Sequence, residues 1–345
     1  MKYDFLVYIG RFQPLHKGHI DVIEQALQKA ERLIIVVGSH AKASDFRNPF
    51  SSSERLKIFN LSLPKNMLDR IDFVFQPDHT YNEEKWLASV QSQVLSATMR
   101  TWRADSIRIG IVGFNKDHSS FYLRKFPMWD LVEINPKFPD LNATDVRNLI
   151  FSEFSQSKIA NEFEKTYSYS GPHESIVLGV ASTYYQQKRE EAEFLNSYRT
   201  KYGSGPFLTA DALVTQAGHI LLVKRGSEYG QGLWALPGGF VNPNETFRNA
   251  VLRELFEETQ IDVPKPVLNG SIIKEKMFDD PSRSSRGRIV TMCSHFKLND
   301  NYDLPKVKGS DDADRAFWVP ISEFIGSRHR LFEDHFCIIE NMLGI

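Results

Sequence analysis

Apolar positions in the first part of the chain alternate between short continuous runs and helical spacing. Phe5–Ile9 is a continuous apolar run, and from His19 to Ala30 the residues Ile20, Ile23, Ala26, Leu27 and Ala30 share one side of a helix. Leu33–Val37 is wholly Leu, Ile and Val, which predicts a strand buried on both faces of a parallel sheet. Ser52–Leu61, Ile71–Phe75, Glu83–Leu95, Ile107–Val112 and Leu131–Ile134 continue the alternation, and Thr144–Phe154 closes it with a helix. Strand and helix alternating at this spacing predict a doubly wound α/β sheet.

The pattern then changes. Between about Ser155 and Gly205 the sequence is charged and predicts helix, including Gln186–Tyr198, and Tyr202–Pro206 predicts a hinge. Beyond it Leu208–Val214 and Ile220–Lys224 read as strands joined by a turn at Ala217–His219. Glu245–Thr259 reads as a single strong helix. Ser271–Met277, Arg288–His295 and Ala316–Val319 read as further strands before a helix at Asp334–Leu343. This is an α+β module of different architecture. The expected organisation is a first domain over 1–185, a helical linker over 186–205 and a second domain over 206–345.

Composition narrows the class. At 345 residues the chain suits two domains, and 41% hydrophobic with 25% charged residues is the profile of a soluble globular protein. A formal net charge of -1 argues against nucleic acid or an anionic membrane as partner. Arg283, Arg286 and Arg288 are therefore read as features of a site. No apolar segment approaches the ~20 residues of a spanning helix, and Phe5–Ile9 is too short for a secretory core. Cys293 and Cys337 lack metal-ligand spacing and fit free thiols in a reducing cytoplasm.

The first chemical signature is Gly10–His19, GRFQPLHKGH. His16 and His19 lie between the first strand and the helix after it. Such a junction aims backbone N–H groups and the helix dipole at a phosphate, at the carboxyl end of a strand where open sheets bind ligands. Two imidazoles can donate to phosphate oxygens there with help from Arg11, and Gly18 permits close backbone approach. The run resembles the H-x-G-H nucleotidyltransferase superfamily, in particular the archaeal-type nicotinamide mononucleotide (NMN) adenylyltransferases. Arg47-Asn48-Pro49-Phe50 with Glu54-Arg55 resembles a second segment of that family, and Asn142–Arg147 resembles its S-S-T-x-x-R motif.

That resemblance implies a Rossmann-like domain that transfers AMP from ATP to NMN. His16, His19, Arg11 and Arg147 would stabilise the transferring phosphate, within a nucleotide site that includes Gly10, Phe12, Gly18, Arg47, Asp78, Trp86 and Thr144. Thr144 would cap its helix, Arg147 would grip ATP phosphates and Trp86 would stack on the pyridine ring. Trp86 has a plainer alternative, a core aromatic beside Leu87 and Val90.

The second signature starts at Leu236-Pro237-Gly238-Gly239, continues to Glu245 and ends in Arg253–Glu258, RELFEE. On a helix Glu254, Glu257 and Glu258 share one face, and carboxylates so crowded need a compensating cation. Hard oxygen donors suit Mg²⁺ or Mn²⁺ bridging to a pyrophosphate. Gly239 would belong to the tight loop that delivers the helix, and Glu245 could pair with Arg253. The run resembles the Nudix box, with Gln260 where the last glycine stands. Glu258, or an acid of the Asp311–Asp314 loop, is the candidate general base. The 280–291 segment resembles the arginine-rich segment of ADP-ribose-type Nudix enzymes, so that Arg283 or Arg286 would hold a phosphate or terminal ribose. A solvated basic loop is the alternative.

Together the resemblances imply a bifunctional enzyme that makes NAD and hydrolyses ADP-ribose to AMP and ribose 5-phosphate. ATP, NMN, NAD and ADP-ribose are its nucleotide partners, Mg²⁺ or Mn²⁺ its cofactor, and a homo-oligomer is compatible. A different mononucleotide with NADH or diadenosine polyphosphate hydrolysis is the enzymatic alternative. A non-catalytic Nudix ligand sensor is the other.

Overall fold

The structure is a computed structural model that describes residues 2–101, 107–113, 122–152, 157–159, 161–162, 172–310 and 313–345. The chain divides into two compact units, Met1–Ala192 and Glu193–Ile345. The division falls inside a helix, Tyr185–Tyr202, which contains the predicted Gln186–Tyr198 segment.

The first unit is built on five parallel strands: β1 Tyr3–Gly10, β2 Ala30–Val37, β3 Ile71–Phe75, β4 Ile109–Gly113 and β5 Asp130–Glu133. Their order is β3-β2-β1-β4-β5. Alternate residues of β1 enter different cores, Leu6 and Tyr8 one and Phe5, Val7 and Ile9 the other. Both faces are covered, which explains why β1 and β2 carry the unbroken apolar runs Phe5–Ile9 and Leu33–Val37. β1 lies between β2 and β4, so the winding reverses there and leaves a crevice at the strands' carboxyl ends.

The helix expected at Thr144–Phe154 is Ala143–Ile150, and its cap differs from the expectation. Asn142 is the N-cap, accepting from the Asp145 N–H at 3.0 Å. Thr144 lies inside the helix and instead accepts from Arg147 Nη2 at 3.1 Å. Asn142 wins because its carbonyl oxygen reaches the first free amides of the helix.

The second unit contains β6 Phe207–Gln216, β7 His219–Arg225, β8 Trp234–Ala235, β9 Gly238–Phe240, β10 Ile272–Phe278, β11 Ile289–Lys297 and β12 Ala313–Pro320. The path is β10-β11-β6-β7-β12, with β8 against β7 and β9 against β6. β6 and β11 run parallel, while the β6–β7, β7–β12 and β10–β11 pairs are antiparallel. The predicted turn joins β6 to β7 with positive φ at both Ala217 (45°) and Gly218 (71°), which suits the twist of a hairpin.

The strong helix is Phe247–Thr259, with Thr246 as N-cap and Glu245 ahead of it. Gln260 takes the left-handed conformation itself, at φ 43°, and its N–H donates to the Phe256 carbonyl. Among the described residues no helix is long and apolar enough to cross a membrane. Cys293 and Cys337 are both buried, and neither is in a disulfide among the described residues.

Candidate active sites

β1 ends at Gly10, and Arg11–His16 leads into the Lys17–Lys29 helix. A Cβ on Gly10 would stand 2.8 Å from the Phe12 ring. Phe12, at φ 52°, lies edge-on to the Tyr8, His19 and Phe59 rings at 5.4, 4.9 and 5.1 Å. The His16 backbone N–H donates to Nδ1 of His19 at 3.2 Å. Nδ1 is then the unprotonated nitrogen, and Nε2 of a neutral His19 carries the hydrogen as a donor. The two imidazoles stack with centroids 3.6 Å apart.

Arg147 is buried, with Nη1 donating to the Gln13 carbonyl at 2.6 Å. Its Nε has no acceptor among the described residues. Burial, then the nearby Arg11 charge, lowers its pKa to about 10, so it stays cationic at neutral pH. Arg55, also buried, donates through Nη1 to the carbonyls of Arg11 and Gly38 at 2.7 and 2.6 Å. Burial lowers its pKa to about 10 as well, against the opposing pull of Asp78. Arg55 thus ties the loop after β1 to the end of β2.

These groups border a cleft of about 610 Å³ lined by Arg11, His16, His19, Asp78, Trp86 and Arg147, with Gly10, Phe12, Gly18 and Thr144 beside them. Arg47 does not line it; its charge acts on Arg147. Trp86 packs near Tyr122 and Phe126 and also borders the cleft. Imidazole donors, guanidinium charges and a helix N-terminus in one cleft can stabilise charge on a reacting phosphate.

In the second unit, the loop before the Phe247–Thr259 helix passes between carboxylates. The Gly238 N–H donates to Glu258 Oε2 at 3.0 Å. A Cβ on Gly238 would lie 2.3 Å from Asp211 Oδ1, and one on Gly239 2.5 Å from Glu254 Oε1. Only glycine fits at Gly238, where the Ala210 carbonyl is also 2.5 Å away, while a side chain at Gly239 would displace the Glu254 carboxylate. Arg253 joins the helix to the loop: Nε and Nη2 fork onto Glu245 at 2.9 and 2.8 Å, and Nη1 reaches Glu254 at 2.7 Å and Glu257 at 2.9 Å.

Burial pushes Glu258 up to about 8, reinforced by Glu254 and Asp211 and opposed by the Gly238 N–H. Burial likewise pushes Asp211 up to about 6, against the Arg283 charge. A smaller cleft nearby, about 50 Å³, is lined by Asp211, Arg225, Gly239, Arg283, Arg286 and Phe332 among others.

A cytidylyltransferase-like family matches residues 7–126 and the NUDIX domain family residues 205–342. The chain is 36% identical over 172 residues to a nicotinamide/nicotinic acid mononucleotide adenylyltransferase of Acinetobacter baylyi, across 48% of this chain and 87% of that one. It is 32% identical over 91 residues to a nicotinamide-nucleotide adenylyltransferase of Archaeoglobus fulgidus, across 25% of this chain and 52% of that protein. A bifunctional NMN adenylyltransferase/ADP ribose pyrophosphatase from Francisella tularensis, crystallised with AMP and a Mn ion, matches over 99% of both chains. The identity is 32% and the TM-score 0.87. The chain belongs to this bifunctional family.

As a member of it, the chain holds its Nudix acids in a particular state. Among the described residues no three His, Cys, Asp or Glu side chains are gathered in a metal-ligating group. Glu254 and Glu257 turn to Arg253, and Glu258 to Gly238. The donor set still fits a hard divalent cation. Burial, and then the neighbouring Glu254 and Asp211, make the Glu258 carboxylate costly to ionise, and a cation bound there would offset that cost.

The arginine segment departs from the solvated basic loop given as the alternative, and both arginines line the smaller cleft. Arg283 is 6% exposed and forks onto Asp334, with Nε–Oδ2 and Nη2–Oδ1 both 3.0 Å. Arg286 pairs with Glu333 at 3.2 Å and lies over the Tyr229 and Phe332 rings at 5.7 and 5.5 Å. Neither is a solvated basic loop residue; each is held in place by a carboxylate at the cleft. Of the base candidates, Glu258 is placed at the loop, while Asp311 and Asp312 lie outside the described residues.

Sequence reasoning missed Asp211, whose only signal is an acid interrupting the apolar run Leu208–Val214. It also left Arg55 without a role beyond its motif match.

Proposed function

We propose that the first site transfers AMP from ATP to NMN, forming NAD and pyrophosphate, and that the second hydrolyses ADP-ribose to AMP and ribose 5-phosphate. The observation carrying this reading is that one chain, matching 99% of a bifunctional relative, keeps both chemical signatures in formed sites. In the first site the NMN phosphate attacks the α-phosphate of ATP in line. His19, donating from Nε2, together with His16, Arg11 and Arg147, stabilises the charge that spreads over the phosphate oxygens. Trp86 stacks on the pyridine ring, and Gly10, Phe12, Gly18, Asp78 and Thr144 shape the nucleotide cleft, with Arg47 adding charge from outside.

In the second site Glu254, Glu257 and Glu258 would hold a divalent ion, Mg²⁺ or Mn²⁺. When bound, the ion supplies Lewis-acid neutralisation of the diphosphate and activation of water. Arg253 keeps the acids on one face of the helix, and Gly238 and Gly239 bring the loop against them. Glu258 is the candidate to take a proton from the attacking water. Arg286 borders the place of the substrate diphosphate or ribose. Two buried cysteines, neither in a disulfide among the described residues, support a reducing compartment, the cytoplasm.

The test is the purified full chain with NMN, ATP and Mg²⁺, and separately with ADP-ribose, alongside His19→Ala and Glu257→Gln. Each variant is expected to lose one activity and keep the other. Absence of NAD in the first assay sinks the transferase half; intact ADP-ribose in the second sinks the hydrolase half.

A further inference from the structure

Three consecutive side chains near the end of the chain reach three separate parts of the second site. Glu333 Oε1 accepts from Ser284 Oγ at 2.5 Å and Oε2 from Arg286 Nη2 at 3.2 Å, across 49 and 47 residues. Asp334 takes the Arg283 fork across 51 residues, both partners buried. His335 Nδ1 accepts the Leu236 backbone N–H at 3.0 Å across 99 residues, directly before Pro237-Gly238-Gly239. Glu333 and His335 also line the cleft.

Glu333 holds φ at 45°, a left-handed conformation that costs a non-glycine residue about 1 kcal/mol. Such conformations persist where several contacts over-determine them, and they concentrate at functional sites. A buried ion pair is moreover a poor way to gain stability, because apolar residues of similar volume do as well or better. What the Asp334–Arg283 fork supplies is direction, two parallel bonds that fix a planar guanidinium.

We propose that Glu333–Asp334–His335 is the positioning element of the hydrolase site. It sets Arg286, Arg283 and the Leu236–Gly239 loop, in one stroke of chain, around a substrate bearing a diphosphate. The inference rests on the hydrolase reading above.

The experiment uses full-length Glu333→Gln and Asp334→Asn, assayed for ADP-ribose hydrolysis with Mg²⁺. NAD synthesis in the same samples and a thermal unfolding scan report how much protein is intact. Both variants are expected to show KM for ADP-ribose raised about ten- to a hundredfold, the scale for a loosened positioning group. A purely structural role would lower the midpoint of unfolding and the folded fraction while leaving KM of the surviving molecules unchanged. Glutamine matches glutamate in shape and its carbonyl oxygen can still accept from Ser284 Oγ, so Glu333→Gln keeps the test decisive should Asp334→Asn fail to fold. Wild-type hydrolysis with unaltered KM in the folded variants overturns this inference alone. A wild type that leaves ADP-ribose intact overturns the hydrolase reading, and this inference with it.

Discussion

Arg253 grips Glu245 with two parallel hydrogen bonds, Nε to Oε1 at 2.9 Å and Nη2 to Oε2 at 2.8 Å. Glu245 precedes the helix, so this fork fastens the loop to the helix face that carries the carboxylates. Its remaining nitrogen, Nη1, spans Glu254 and Glu257. One planar cation thereby spaces three acids, a geometry lysine lacks.

Replacing that cation is the first prediction. Arg253→Lys should lower ADP-ribose hydrolysis about a hundredfold through misplacement of the carboxylates, while NAD synthesis by the same sample is retained. Parallel assays of both activities check it. Equal hydrolysis by Arg253→Lys and wild type would remove Arg253 from the mechanism.

His19 should act through its Nε2–H donor. His19→Ala is expected to slow NAD formation about a hundredfold or more, the usual cost of one lost donor to a developing anion. His19→Asn, whose amide can still donate, should recover part of that rate. Single-turnover measurement with saturating ATP and NMN separates this loss from weakened binding.

Gln260 offers a gain. Its left-handed φ of 43° is a cost glycine does not bear, so Gln260→Gly should stabilise the second unit by about 1 kcal/mol. The urea midpoint read from a probe in that unit is the measurement. An unchanged or lower midpoint refutes it.

His295 predicts a pH effect. Burial, then the charges of Lys274 and Lys297, depresses its pKa to about 4, while Nε2 lies 2.7 Å from Thr215 Oγ1. A depressed folded pKa means the neutral ring is favoured in the fold. That stability is fully present above about pH 6.5 and is lost as pH falls through 4, about 3 kcal/mol in all. His295→Gln should flatten this part of the stability profile between pH 7 and 4, as followed by denaturant unfolding at each pH.

How much was legible follows from how each feature is specified. β2 is visible because burial on both faces demands the unbroken apolar run Leu33–Val37, and β3, a half-buried edge strand interrupted by Asp72, is still found with the expected bounds Ile71–Phe75. β8 and β9 have no period of their own; they are strands because β7 and β6 supply partners. His16, His19 and the Glu254–Glu258 run are local in sequence, so their spacing exposes them. The state of Arg283 and Arg286 was hidden because Asp334 and Glu333 lie about fifty residues downstream. Asn142 displaced Thr144 as a cap through a choice of side-chain reach that spacing alone does not decide.

The parallel pairing of β6 with β11 matches Phe207–Thr215 to Ile289–Lys297. During vectorial synthesis β6 must wait for a neighbour made some eighty residues later, and long-range pairing of this kind is slow. The sheet of the first unit is complete by Glu133. A nascent chain therefore carries every described strand of its first sheet long before β6 can meet its parallel neighbour in the second, so the two halves of the chain reach their sheets on different schedules.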